Sequence, residues 1–231
     1  MFKFTRPTLV TLTAPTCSGK NYLRERLERD VNFTRLVSTT TRAPRTGEVD
    51  GSDYHFITPE TSARMEAQGE FAELINFRGT RYGVTHREMN MKMGGDKIPC
   101  VILEPQGLTI YKKLCIDNGW DIFKIFIFAK EDVRIKRLGE RTLEDICEAH
   151  DDLLPSENGE HLRKRWTRLV DTHTDRMLSI LGDERHWQSY ETWDAIVDGE
   201  NADKAVESVK QGIKWRNSRT ATPTPYTHEQ L

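Results

Sequence analysis

Near the N-terminus, TLVTLT at 8–13 mixes apolar and β-branched residues without a charge, then gives way to the turn-rich APTCSG at 14–19. Such residues fit a pleated, buried surface, so the run predicts a strand. The period then changes. In NYLRERLERD, which begins at Asn21, Leu23 and Leu27 stand one helical turn apart among charged residues and predict an amphipathic helix. Further apolar runs lie at 100–103 (CVIL), 122–129 (IFKIFIFA) and 195–197 (AIV), each bordered by turn or helical signals. Strands interleaved with helices predict an α/β fold with a parallel sheet. A last helix is marked by Asn201 at its N-cap and by Val206, Val209 and Ile213 at i, i+3 and i+7. After it, NSRTATPTPYTHEQL at 217–231 has the composition of a disordered tail.

Two stretches interrupt this alternation. Residues 37–95 carry short polar and aromatic strand-like pieces. They end in Thr85-His86-Arg87-Glu88, a capping-box pattern opening a methionine-bearing helix that closes at Gly94-Gly95. The second interruption covers 137–175. Between 144 and 160 it holds seven acids and no Lys or Arg, with Arg137 and Arg141 before them and Arg163, Lys164, Arg165 and Arg168 after. No internal repeat is present.

Composition narrows the partners. The 231 residues suit one large or two small domains. Against 36 acids stand 34 Lys and Arg, a formal net charge of −2, which argues against a nucleic-acid coat or a polybasic membrane binder. The short basic RKRW at 163–166 does not change that. Mean hydropathy is −0.66, yet aromatics reach 9% and the apolar runs are clear, so the chain is expected to fold. Cys17, Cys100, Cys115 and Cys147 are widely spaced, with no metal-ligand spacing among them, and point to a reducing cytoplasm. No apolar stretch approaches the roughly 18 residues of a membrane span, so no membrane partner is expected. The oligomeric state leaves no mark on the sequence.

The turn at 14–21 carries chemistry. Ala14-Pro15-Thr16-Cys17-Ser18-Gly19-Lys20-Asn21 lies between a predicted strand and helix, where a loop of pattern G-x-x-x-x-G-K-[ST] wraps its backbone N–H groups around nucleotide phosphates. Gly19 admits the close approach, and Lys20 supplies a point charge for the β- and γ-phosphates. Ala14 replaces the first glycine. Asn21 stands where a hydroxyl usually ligates Mg²⁺ and offers an amide oxygen instead. An ordinary Ser/Thr-rich turn capping a helix is the alternative reading of this segment taken alone.

A second constellation lies at 38–56, STTTRAPRTGEVDGSDYHF, with Arg42, Arg45 and Tyr54 in a short polar stretch. Arginine forks and a phenol suit phosphate oxygens, although a solvated surface would also accept them. The stretch closely resembles the nucleoside-monophosphate-binding region of guanylate kinases, with the pattern S-x-T-T-R-x-P-R-x-G-E-x-x-G-x-D-Y-x-F. The resemblance continues through Gly69-Glu70-Phe71-Ala72-Glu73, Tyr82-Gly83-Val84-Thr85, Gln106-Gly107, Arg137-Leu138, Arg168-Leu169 and the strand and helix at 193–213. It covers roughly 8–215, strongly over the first 110 residues and weakly over 138–190.

The resemblance implies a P-loop kinase fold: a parallel sheet core flanked by helices (1–36, 96–136 and 176–216), a small monophosphate-binding subdomain (37–95) and a lid (137–175). It implies a cytosolic ATP-dependent nucleoside-monophosphate kinase that makes the diphosphate of GMP or dGMP and needs Mg²⁺. ATP would be held by Ala14, Thr16, Cys17, Ser18, Gly19, Lys20, Asn21 and Tyr22. Arg42, Arg45, Tyr54 and Tyr82 would clamp the acceptor phosphate, with Ser38, Glu73 and Val84 at the base. A carboxylate at Glu73 can accept guanine N1–H and N2–H₂ together, an edge adenine lacks. Lys20, Arg137, Arg141 and Arg168 would neutralise the transferred group, Asn21 would serve Mg²⁺, and Glu104 would serve Mg²⁺ or the acceptor monophosphate.

Several positions depart from the family. Val84 replaces a Ser or Thr that helps bind the guanine carbonyl, Ile102-Leu103-Glu104 replaces Asp-x-Asp, and Tyr22 replaces a hydroxyl near the α-phosphate. A kinase of the same fold acting on another nucleoside monophosphate or a phosphorylated ribose is therefore one alternative. A catalytically silent phosphopeptide-binding module is another, opposed by the retained Gly19-Lys20.

Overall fold

The computed structural model describes residues 6–30, 32–44, 47–77, 79–151, 172, 174, 188 and 191–219. The run at 8–13 forms strand β1 (Thr8–Thr13), buried along its whole length. Alternate side chains leave its two faces. Val10 and Leu12 meet one apolar cluster, while Leu9 meets the other. Burial on both faces is why β1 reads as an unbroken uncharged run.

Strands β2 (Phe33–Arg35), β7 (Ile98–Ile102), β8 (Asp121–Phe128) and β9 (Ala195–Asp198) complete a parallel sheet in the order β2-β7-β1-β8-β9. The expected runs at 100–103 and 122–129 begin earlier, at Ile98 and Asp121. There Ile98 pairs with Phe33 of β2, and Asp121 with Thr8 of β1. Helix α1 (Lys20–Glu28) lies on one face with the C-terminal helix α6 (Ala202–Arg219), burying Leu23, Leu27, Val209 and Ile213 against Phe123 and Ile125. The opposite face takes Met89 and Met93 of α3 (His86–Met93) and Leu108, Tyr111 and Cys115 of α4 (Pro105–Asn118).

The caps expected from sequence form. Asn201 Oδ1 accepts from Lys204 N at 3.1 Å. Thr85 Oγ1 accepts from Glu88 N at 3.1 Å, while the buried Glu88 carboxylate turns to Val37 N at 2.9 Å and so ties α3 to the chain entering the inserted segment. That segment holds β3 (Thr39–Thr40), β4 (His55–Phe56), β5 (Phe71–Phe77) and β6 (Thr80–Thr85) in a separate sheet of order β4-β3-β6-β5. Helix α2 (Pro59–Ala67) follows β4, started by Thr58, whose side chain accepts from Thr61 N, and by proline in the first turn.

Helix α5 (Glu131–Asp151) runs through position 137 without a break. Helix α6 reaches Arg219, past the expected start of the tail at 217. Arg45, Arg168, the acids at 152–160 and residues 220–231 lie outside the described residues.

Candidate active site

The loop after β1 turns through two left-handed positions, Cys17 at φ 61° and Gly19 at φ 90°. The second is cheap only for glycine. Gly19 is also the N-cap of α1 and has no side chain to cap it, so the helix dipole and first-turn amides face the loop, an arrangement suited to an anion. Lys20 opens the helix and folds back, its Nζ donating to Ala14 O at 2.6 Å and Pro15 O at 3.1 Å. The buried Ser18 hydroxyl has no hydrogen-bond partner among the described residues. Thr16 and Cys17 are half-buried, Asn21 is exposed, and the exposed Tyr22 hydroxyl accepts from Arg26 at 2.7 Å.

Three tertiary contacts fix this loop. Arg137 of α5 donates through Nη1 to Cys17 O at 3.2 Å and through Nη2 to Gly199 O at 3.1 Å. One turn earlier, Arg134 donates through Nε to Thr16 O at 2.8 Å and is only 4% exposed. Gly199, just after β9, comes so near that a Cβ there would meet Ser18 O at 2.2 Å. The sequence reading missed Arg134 and Gly199. The i, i+3 spacing of Arg134 and Arg137 was the available hint for the first; the second leaves no local signal. Arg141 lies exposed on α5.

Glu104 follows β7 at the same sheet edge, since Leu12 pairs with Ile102 and Leu103 N donates to Leu12 O at 3.0 Å. It is exposed at the N-cap of α4, where its own side chain forms no cap bond. No group of three or more His, Cys, Asp or Glu among the described residues could hold a metal ion. The oxygen donors Asn21 and Glu104 fit a hard cation that draws its remaining ligands from phosphate and water.

On the second sheet the acceptor candidates gather. Arg42 Nη2 pairs with Glu48 Oε1 at 2.8 Å and Oε2 at 2.9 Å, and its guanidinium lies 5.5 Å from the Tyr54 ring centre. The Tyr54 and Tyr82 rings meet edge to face at 6.1 Å, and burial pushes the Tyr54 hydroxyl above its ordinary pKa. Arginine and two phenols thus form one cluster, with Arg42 Nη2 turned to Glu48 and Nη1 donating to Ala43 O at 2.7 Å. Asp53 next to Tyr54 accepts from Arg35 Nη1 at 3.0 Å, and Arg35 also pairs with Glu28 of α1, so the Tyr54 loop is braced against the main sheet.

Glu73 of β5 stands opposite Val84 of β6 and is 8% exposed. The Tyr111 hydroxyl of α4 donates to Glu73 Oε2 at 3.4 Å. Burial raises the Glu73 carboxyl to about 7, a rise that the tyrosine hydrogen bond partly opposes. Val84 is fully buried against Leu36, Leu108 and Tyr111, so it walls this carboxyl on one side. Gly83 permits the strand pairing, because a Cβ there would meet Glu73 O at 2.4 Å. Ser38 is half-buried just before β3, its carbonyl accepting from His55 N at 2.9 Å.

A Gly19-Lys20 loop at the carboxyl end of the central strand of a parallel sheet, in a chain that also carries an inserted four-stranded sheet, defines a P-loop kinase fold. The guanylate kinase family model matches residues 6–156. A guanylate kinase of Ruegeria sp. is 30% identical over 212 residues, covering 89% of this chain and 82% of the relative. One from Sus scrofa is 27% identical, covering 90% and 92%. The solved guanylate kinase of Anaplasma phagocytophilum superposes with a TM-score of 0.61 at 18% identity, over 94% of this chain and 89% of that one. The chain belongs to the guanylate kinase family.

Proposed function

We propose that this chain transfers the γ-phosphate of ATP to the 5′-phosphate of a guanine nucleoside monophosphate, GMP or dGMP. The observation that carries this reading is the buried Glu73 carboxyl on the same small sheet as the Arg42–Tyr54–Tyr82 cluster. A carboxylate there accepts the paired N1–H and N2–H₂ donors of guanine, and the cluster takes the phosphate once Glu48 yields. On the donor side, Lys20 and the loop 14–19 hold the ATP phosphates, and Arg134 and Arg137 keep that loop in shape. When Mg²⁺ is bound with ATP, near Asn21 and Glu104, it neutralises charge on the phosphates.

Arg45, Arg141 and Arg168 complete the proposal as acceptor and lid cations. The chain would divide into a core of 1–36, 96–136 and 176–216, a monophosphate-binding segment of 37–95 and a lid of 137–175. The compartment is the reducing cytoplasm, in keeping with Cys17, Cys100 and Cys115, which form no disulfide among the described residues. No helix among the described residues is long and apolar enough to cross a membrane.

The test is a coupled ADP-release assay with Mg·ATP over GMP, dGMP, AMP, CMP, UMP and dTMP. Turnover of GMP or dGMP is expected, and no turnover with either refutes the reading. Val84, fully buried opposite Glu73 without a hydroxyl, favours a second reading in which another nucleoside monophosphate is the better acceptor. The same panel separates the two.

A further inference from the structure

The acceptor pocket holds a group the phosphate chemistry does not use. Tyr111 is fully buried on the core face of α4, and its ring belongs to the apolar cluster under the main sheet. A leucine or phenylalanine would fill that place without the cost of burying a phenol. Its hydroxyl donates to Glu73 Oε2 at 3.4 Å. A carboxylate welcomes a donor, whereas a neutral carboxyl gains less from one, so the contact biases the charge of Glu73.

That charge decides which base edge is read. A carboxylate presents two acceptors and matches the donor–donor edge of guanine. A neutral carboxyl presents one donor and one acceptor and matches the N6–H₂ and N1 of adenine. We propose that Tyr111 is a positioning residue that biases Glu73 toward its carboxylate form and so tilts the acceptor site toward guanine over adenine. The proposal rests on the acceptor assignment given above.

The surroundings leave this task to Tyr111. The elements packed against β5 are β6, α3 and α4. On β6, Arg81 turns to Ser62 Oγ and Glu66. On α3, Glu88 turns to Val37 N, with Lys92 beside it. On α4, Lys112 pairs with Glu191 and Lys113 with Asp117. Burial pushes the Glu73 carboxyl up to about 7, and the Tyr111 hydroxyl, donating to Oε2, draws it back down.

Tyr111→Phe keeps the ring and removes the donor. The ¹³C-carboxyl titration of Glu73 in the ligand-free full chain should then move up by about one pH unit. At pH 7 the KM for GMP should rise about fivefold, the ratio of kcat/KM for AMP to that for GMP should increase, and the KM for ATP should stay put. A purely structural role would lower thermal stability without moving the titration. An unmoved titration, or equal losses with GMP and AMP, would overturn the proposal. If Tyr111→Phe fails to fold, Glu73→Gln decides: the step at about pH 7 in the GMP KM should disappear, leaving only the titration of the substrate phosphate at about pH 6, and a retained wild-type profile overturns the proposal. A wild-type chain inactive on every purine monophosphate refutes the proposed reaction instead, while the titration on ligand-free protein still tests whether Tyr111 controls Glu73.

Discussion

Replacing Gly199 with alanine strikes the phosphate loop from behind. The added Cβ would stand 2.2 Å from Ser18 O, 2.9 Å from Ile127 Cγ2 and 3.1 Å from Phe128 O. An ordinary carbon–oxygen contact is about 3.3 Å, so the loop must retreat by roughly 1 Å. It has little freedom to do so. Gly199 N donates to Phe128 O at 2.7 Å, and Arg137 bridges Gly199 O and Cys17 O, so the two segments resist being driven apart. Overpacking of this kind costs about 1–3 kcal/mol, which lowers Tm by about 2–4 °C per kcal/mol for a chain of this size. A displacement near 1 Å at groups that orient the phosphates lowers the rate by about 10²-fold. Steady-state ADP release with ATP varied at saturating acceptor reads the kinetic loss, and thermal unfolding reads the stability. Gly199→Ala with ATP kcat/KM within twofold of the parent would refute the claim that this contact shapes the loop.

Three further outcomes follow from the same geometry. Arg42→Ala, which empties the Arg42–Tyr54–Tyr82 cluster of its cation, should raise the acceptor KM and also slow transfer at saturation, by about tenfold or more together, in the same assay. Glu73→Gln tests linkage: the native carboxyl at about 7 against an ordinary 4.5 means that the folded state holds the proton more tightly, so this group costs the wild type stability as pH rises from 4.5 to 7. Urea unfolding should therefore show the variant close to wild type at pH 4 and more stable by about 3 kcal/mol at pH 8. Gly139→Ala lies within α5 with nothing within 4 Å of the added methyl, and should stabilise the chain by about 1 kcal/mol in thermal or urea unfolding.

Legibility from sequence followed the range of the interactions. β1, the turn at 14–19, the Thr85 cap and the Asn201 cap were readable because each is fixed by neighbours along the chain. The acceptor candidates were readable through the family pattern, yet strands of two residues such as β3 and β4 exist only because β6 and each other are there to pair with. Tertiary contacts stayed hidden. Arg134 reads as one more surface arginine on a charged helix, and only the packing of α5 against the loop buries it on Thr16 O. Tyr111 packs in the core, and its contact with Glu73 depends on how α4 meets the inserted sheet. Val84 could be recognised as a departure, but its complete burial opposite Glu73 is a property of the folded sheet.

A crystal structure with GMP bound tests the acceptor assignment most directly. The guanine N1 and N2 should lie within hydrogen-bonding distance of the Glu73 carboxylate, and the 5′-phosphate among Arg42, Tyr54 and Tyr82 with Glu48 displaced. A base lodged elsewhere, with the Arg42–Glu48 pair intact, would contradict it.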